Sequence, residues 1–300
     1  MEKLAIIGLG LIGSSIAHAA KRAEKIRQIA GYDSSADVRT RARKLGFAHE
    51  IADDAASCVA GADLVILCTP VGAYKALAAE IAPHLKQGAI LSDVGSVKGA
   101  VLRDVSPSVP KGVCFLPAHP IAGTEYSGPE AGFASLFDGR WVIITPPDNA
   151  DQAMVERLKN FWASLGASVD VMNARHHDLV LAMTSHLPHL IAYNIVGTAR
   201  DLEDVRQGEV IKYSASGFRD FTRIAASDPT MWRDIFLNTK DAVLEVLGRF
   251  NEDLAVLQRA VRNGDGQFLF EFFTRTRAIR RAIIEQGQDT AAPNFGRTPQ

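Results

Sequence analysis

A short apolar run, Leu4–Ile7, leads into Gly8-Leu-Gly10-Leu11-Ile12-Gly13 and then into an apolar helical stretch, and Asp33 closes IAGYD twenty residues beyond Gly13. Few folds tolerate that order. Gly8 makes the tight bend out of a strand, Gly10 lets backbone approach a pyrophosphate, and Gly13 lets helix pack on strand. The helix start then offers free N–H groups and the positive end of its dipole to phosphates. The six-residue turn, Leu11 and Ile12 included, is therefore read as a dinucleotide cradle. Asp33 would accept hydrogen bonds from the adenosine ribose and repel a 2′-phosphate, which favours NAD over NADP. A lone glycine motif is weak; strand, glycines, helix and acid together are much stronger.

Three hundred residues exceed most single cores, so two domains are expected. With 47% hydrophobic and 22% charged residues and a net charge of −1, the composition is that of an ordinary globular chain. Near-neutrality argues against an extended nucleic-acid surface, which would carry a basic stripe. Cys58, Cys68 and Cys114 are scattered, odd in number and without metal-ligand spacing. They read as reduced thiols of a cytosolic protein. The first strand begins by residue 3 or 4, so no targeting segment is expected. No apolar run approaches a membrane span, and a soluble, cytoplasmic protein is expected.

As far as about residue 170, β-rich runs (LAIIG, QIAGYD, DLVILCTP, AILSDVGS, VCFLPAHP, WVIITP, SVDVM) alternate with helical stretches such as Ser35–Leu45 and Ala73–Leu85. Short apolar runs separated by helices predict an α/β fold with a mainly parallel sheet buried on both faces. Ligands of such sheets sit at the carboxyl ends of the strands. Thr69 and Pro70 stand at one such end, where Pro70 can stop the ladder and shape a loop over the cofactor. After Asn173 helical periodicity takes over, with long helices predicted at Ala174–Ala199, Thr239–Val261 and Gly266–Ile284. Pro188 should kink or break the first of them. The expected division is a dinucleotide-binding domain at 1–172, an all-helical domain at 173–285 and a loose tail at 286–300.

Four segments carry polar residues where a packed core would not want them. In Asp93-Val-Gly-Ser96-Val-Lys98, Ser96 or Asp93 could simply cap a helix. In His119-Pro-Ile-Ala-Gly-Thr124-Glu125, a histidine just after a strand is placed for proton transfer near a nicotinamide ring. In Thr184-Ser-His186-Leu-Pro-His189, two histidines three apart face one side of a helix. Metal binding would need more ligands than the pair supplies, so the histidines are read as hydrogen-bonding to a polar substrate, with no metal expected. The last segment runs from Ser216 to Arg233. Arg219 and Arg233 read as ion-pair partners of Asp220 and Asp234, while Arg223, beside apolar residues, is the better carboxylate ligand.

HPIAGTEYSG, TSHLPHLIAY and GFRDFTRIA followed by SDPTMW, in this order and after GLGLIG and DVGSVK, make the chain resemble the prephenate/arogenate (cyclohexadienyl) dehydrogenase family of tyrosine biosynthesis. The resemblance runs from residue 3 to about 285. It implies a Rossmann-type NAD-binding domain followed by an all-helical dimerisation domain, hence a homodimer. It further implies that His119 is the catalytic acceptor, and that Ser96 orients it and touches the nicotinamide. By the same resemblance Arg223 binds the ring carboxylate, His186 and His189 line the substrate pocket, and Thr124, Glu125 and Trp232 lie at its edge.

The implied reaction is chemically coherent. A cyclohexadiene loses hydride from its hydroxyl-bearing carbon to NAD while His119 takes the hydroxyl proton. The dienone then loses CO2, driven by aromatisation to a phenol. Glu125 would favour an amino-bearing side chain, as in arogenate, over a second carboxylate. Two other readings stay open on residues alone. A β-hydroxyacid dehydrogenase would need a lysine acid/base, such as Lys212 or Lys240, and an NAD-binding sensor would not turn over at all.

Overall fold

The computed structural model describes residues 1–124, 126–206 and 212–285. The expected tail at 286–300 lies outside them. By contacts the chain divides into two compact units, Met1–Val243 and Leu244–Gln300.

In the first unit, β1 (Lys3–Ile7), β2 (Gln28–Tyr32), β3 (Glu50–Ile51), β4 (Leu64–Leu67), β5 (Ile90–Asp93) and β6 (Cys114–Leu116) form one sheet. Their order is β3-β2-β1-β4-β5-β6, and every pairing is parallel. The order reverses between β1 and β4, so the crevice at their carboxyl ends is the switch point where such sheets bind ligands. The central strands β1 and β4 are almost wholly apolar because both faces are covered. Leu4 and Ile6 of β1 pack with Ile16, Leu158 and Trp162, from α1 (Leu11–Ala23) and α6 (Gln152–Ser164). Ala5 and Ile7 pack on the other side with Val59, Tyr74 and Val101. Those three come from α3 (Ala55–Val59), α4 (Tyr74–Ile81) and α5 (Lys98–Val105). Each fully buried Leu or Ile contributes about 1.5–3 kcal/mol. Between β2 and β3, α2 (Ala36–Leu45) is capped by Ser35, whose Oγ accepts from Val38 N, and ends at Gly46 with φ +65°.

VCFLPAHP reads as one strand but forms two. Pro117 has no N–H to donate, so the parallel ladder stops at Leu116. The chain re-enters as β7 (Ala118–Pro120), antiparallel to β8 (Trp141–Ile144), which in turn pairs in parallel with β9 (Ser168–Val171). His119 therefore belongs to a small second sheet.

Beyond β9 the described chain is helical. Asn173 caps α7 (Ala174–Leu181), a π-turn spans Ala182–His186, and α8 (Leu187–Arg206) follows directly. The α-helical ladder expected over Ala174–Ala199 is thus interrupted in the turn just before Pro188. The widened turn, with Leu187 N donating to Ala182 O five residues back, accommodates a residue that has no N–H. The helices Ser216–Thr222 and Pro229–Asn238 have no counterpart in the sequence reading. Lys240–Asn263 and Gly266–Glu285 match the expected long helices to within two residues. In the second unit Phe272 meets both Phe268 and Phe273, while Phe270 and Phe273 stay exposed.

Contrary to the expectation from apolar run length, Ala174–Asp201 is long and apolar enough, by length and composition alone, to cross a bilayer. Its polar groups make it a helix of the fold, because His177 and Asp178 are hydrogen-bonded to β7 and α5.

Candidate active site

The glycine turn has the geometry that its residues demand. Gly8 has φ +99°, and a Cβ there would lie 2.7 Å from the Cys68 carbonyl carbon, so β4 closes against the turn. A Cβ on Gly13 would overlap the Gly8 carbonyl oxygen, whereas one on Gly10 would meet nothing within 4 Å. That open side lies at the start of α1, where no side chain caps the N–H groups. Leu11 and Ile12, half-buried, form the first turn of α1. Asp33, at the end of β2, accepts from Leu9 N at 3.0 Å and from Ser35 N at 2.9 Å. Across the switch point the Thr69 hydroxyl is buried without a partner among the described residues, next to exposed Pro70. Free helix N–H groups, backbone space at Gly10 and an orphan hydroxyl fit a bound dinucleotide.

His119 projects from β7 into a buried chain of polar groups. Its Nδ1 lies 2.9 Å from His177 Nε2, and His177 Nδ1 lies 2.9 Å from Asp178 Oδ1. Asp178 also accepts from Lys98 N at 2.8 Å and Gly99 N at 2.9 Å. It thereby caps α5, whose own N-cap residue, Val97, has no side chain able to do so. Lys98 is wholly buried, with Nζ donating to Asp93 Oδ2 at 2.6 Å and to Ala118 O at 2.7 Å. Burial pushes His119 well below the ordinary histidine pKa, and the neighbouring His177, Lys98 and His186 push in the same direction. His177 is lowered by burial despite Asp178, while Asp178 is held below the carboxylate range by His177 and the two N–H groups, against its own burial. These surroundings favour the uncharged form of the His119 imidazole.

His186 and His189 do share a face, both against Trp232. The His189 ring stacks on the indole at 3.7 Å, and His186 meets it edge-on at 6.0 Å. His189 Nδ1 lies 2.8 Å from Ser185 O, which leaves Nε2 as an acceptor. His186 is lowered to about 4 by burial. Its Nδ1 contacts Thr239 Oγ1 at 3.3 Å, and its buried Nε2 has no hydrogen-bond partner among the described residues. Arg223 opens a 3₁₀ turn with its side chain exposed, near enough to His189 to disfavour its protonation. Arg233 pairs with Asp234 at 2.7 Å, as expected. Thr124 is exposed on the loop after β7, where its Oγ1 accepts from Tyr126 N at 3.3 Å. Glu125 lies outside the described residues. Ser96 is half-buried after β5, and no hydrogen bond among the described residues joins it to His119. The ring that meets His119 within hydrogen-bond distance is that of His177.

Sequence reading passed over His177 and Asp178, and read Asp93 only as a possible helix cap, not as the partner of Lys98. The only available signal was HHD at the start of an apolar helix, which looks like a polar helix N-terminus until the fold places it behind β7.

Residues 16–171 match the family described as prephenate dehydrogenase, nucleotide-binding domain, and residues 173–275 match prephenate dehydrogenase, dimerization domain. The chain belongs to the prephenate dehydrogenase family. It is 43% identical over 282 residues to the cyclohexadienyl dehydrogenase of Zymomonas mobilis, covering 94% of this chain and 96% of that one. Among solved structures, the A. aeolicus prephenate dehydrogenase in complex with hydroxyphenyl propionate and NAD+ superposes with a TM-score of 0.87 at 34% identity. That match covers 94% of this chain and 98% of the other. Synechocystis arogenate dehydrogenase follows with a TM-score of 0.81 at 25% identity, covering 93% and 99%. Family membership settles the reaction as NAD-dependent oxidative decarboxylation of prephenate and/or arogenate, in tyrosine biosynthesis, and sets aside the lysine-based and sensor readings.

Proposed function

We propose that His119 takes the proton of the substrate's ring hydroxyl, and that the enzyme accepts both prephenate and arogenate, yielding 4-hydroxyphenylpyruvate and tyrosine respectively. The observation carrying this reading is the buried contact of His119 Nδ1 with His177 Nε2 at 2.9 Å, which fixes one face of an uncharged imidazole and commits the other to the substrate. NAD, held by Gly8, Gly10, Leu11, Ile12, Gly13, Asp33, Thr69, Pro70 and Ser96, supplies the hydride acceptor when bound. Arg223 holds the ring carboxylate with its planar fork. That grip must not strengthen the carboxylate's ground state over the transition state for CO2 loss. His189, with Nδ1 spent on Ser185, and His186, with a bare Nε2, receive substrate donors. Thr124 and Trp232 border the pocket.

The broad name of the Z. mobilis relative, cyclohexadienyl dehydrogenase, supports acceptance of both side chains. We read residues 172–173 as the domain junction, consistent with the limits of the two family matches. We also read the protein as a cytoplasmic homodimer formed through its helical half, with no nucleic-acid or membrane partner.

NADH formation with each substrate in turn tests the reading. Turnover of both is expected, and their kcat/KM ratio ranks them. Turnover of one alone removes the dual-substrate proposal, and an H119N variant as fast as the wild type removes His119 as acceptor.

A further inference from the structure

We propose that Asp178 and His177 are positioning residues that set the tautomer of His119, so that its Nε2 always presents a lone pair to the substrate. The inference rests on His119 being the proton acceptor and goes beyond it by naming what keeps the base in its working form.

The argument follows donors and acceptors along the chain. Asp178 Oδ1 already accepts from Lys98 N, and Oδ2 from Gly99 N. An ionised carboxylate has no hydrogen to give, so the group 2.9 Å away, His177 Nδ1, must carry one. A neutral imidazole has a single N–H, which leaves His177 Nε2 bare. That bare nitrogen lies 2.9 Å from His119 Nδ1, so His119 must donate there. The hydrogen of His119 is thus on Nδ1 and its Nε2 is free. Both histidine rings are buried, and no water is needed to complete the sequence.

The same chain helps once the proton arrives. The O–H bond of the substrate breaks, its proton binds Nε2, and His119 becomes an imidazolium that keeps its Nδ1–H on His177. The positive charge then lies one ring from the Asp178 carboxylate. The other groups facing these rings are Lys98 on α5, Asp93 on β5 and His186 in the π-turn. Lys98 opposes charge on His119, and Asp93 is paired with it at 2.6 Å.

Glutamine can imitate a neutral His177, because its carbonyl oxygen accepts while its amide donates, whereas leucine can do neither. The experiment compares H177L, H177Q and D178N in the full-length protein, each with NAD affinity and melting temperature measured alongside. H177L should lower kcat by about 10²-fold, the lower end of a general base's contribution. H177Q should recover at least tenfold of that loss. Ring ¹⁵N spectra should show His119 protonated at Nδ1 in the wild type and a tautomer mixture in H177L. D178N should move the acid limb of kcat/KM to lower pH, because the carboxylate no longer favours the imidazolium.

Wild-type spectra with the His119 hydrogen on Nε2, or an H177L enzyme with unchanged kcat, would overturn the inference. Should H177L fail to fold, equal kcat and acid limb in D178N and the wild type would overturn it instead. An active H119N enzyme would mark failure of the underlying base assignment; an inactive H119N beside an active H177L would mark failure of the tautomer relay alone.

Discussion

The Asp93 carboxylate and the Lys98 ammonium meet at 2.6 Å with neither side chain exposed, and together they hold both backbone polar groups of Ala118, the residue before His119. Lys98 donates to Ala118 O at 2.7 Å, and Asp93 Oδ1 accepts from Ala118 N at 3.1 Å. Burial raises the Asp93 pKa and lowers that of Lys98, so each depends on the other to stay charged. Lys98→Met should cost about 3–5 kcal/mol, because it strands a buried carboxylate. The double variant D93N/K98M should cost clearly less than the sum of the two single changes. Denaturant titrations of all four proteins measure this, and additive costs would show that the pair is not coupled.

His119→Asn should cut kcat by about two to four powers of ten and leave NAD affinity nearly unchanged. Stopped-flow turnover with fluorescence titration of NADH separates the two. A large loss of nucleotide affinity would make His119 structural.

Arg223 is exposed and has no ion-pair partner recorded among the described residues, so replacing it should leave the fold unharmed. Arg223→Gln should lower kcat/KM by about 10- to 150-fold, equivalent to about 1.5–3 kcal/mol for hydrogen bonds to a charged group. Lysine at this position should restore only part, since it lacks the planar fork. An unchanged kcat/KM would remove Arg223 from the substrate site.

Much of this was legible in the sequence because it depends on local backbone demands. The bend at Gly8, the close approach at Gly13 and the onset of helix after Asn173 each depend on neighbours within a few residues or on one packed strand. Pro117 and Pro188 show where local rules fall short. Each lacks an N–H, yet one divides a strand between two sheets while the other is absorbed by a widened turn. Asp178 is the harder case, since it caps a helix 80 positions away and contacts His177, whose far nitrogen meets His119 of a third segment. Only the folded chain brings those three together.

Asp33→Ser should weaken the preference for NAD over NADP, read as a ratio of kcat/KM values. The Asp33 carboxylate also holds Leu9 N and Ser35 N, so some loss of affinity for both cofactors should accompany the change. An unchanged ratio would assign cofactor choice to another residue.

Asp63 offers a pH test remote from the catalytic groups. Burial alone would raise its pKa, but hydrogen bonds from Lys86 and from Glu2 and Lys3 N–H hold it at about 2. A carboxylate depressed on folding stabilises the protein above its unfolded pKa, about 3.9, and the benefit disappears as pH falls towards 2. Asp63→Asn should therefore cost about 1–2 kcal/mol at pH 7, and the gap from wild type should close between pH 4 and 2. A gap independent of pH would mean that shape, and not charge, accounts for the loss.

The widened turn at Ala182–His186 works as a phase setting for everything downstream. A helix rotates about 100° per residue, so one residue more or fewer between Asp178 and His186 would swing His189 a quarter-turn away from Trp232. Every functional group would survive such a change, yet they would no longer converge. This stretch should therefore tolerate many substitutions and no change in length.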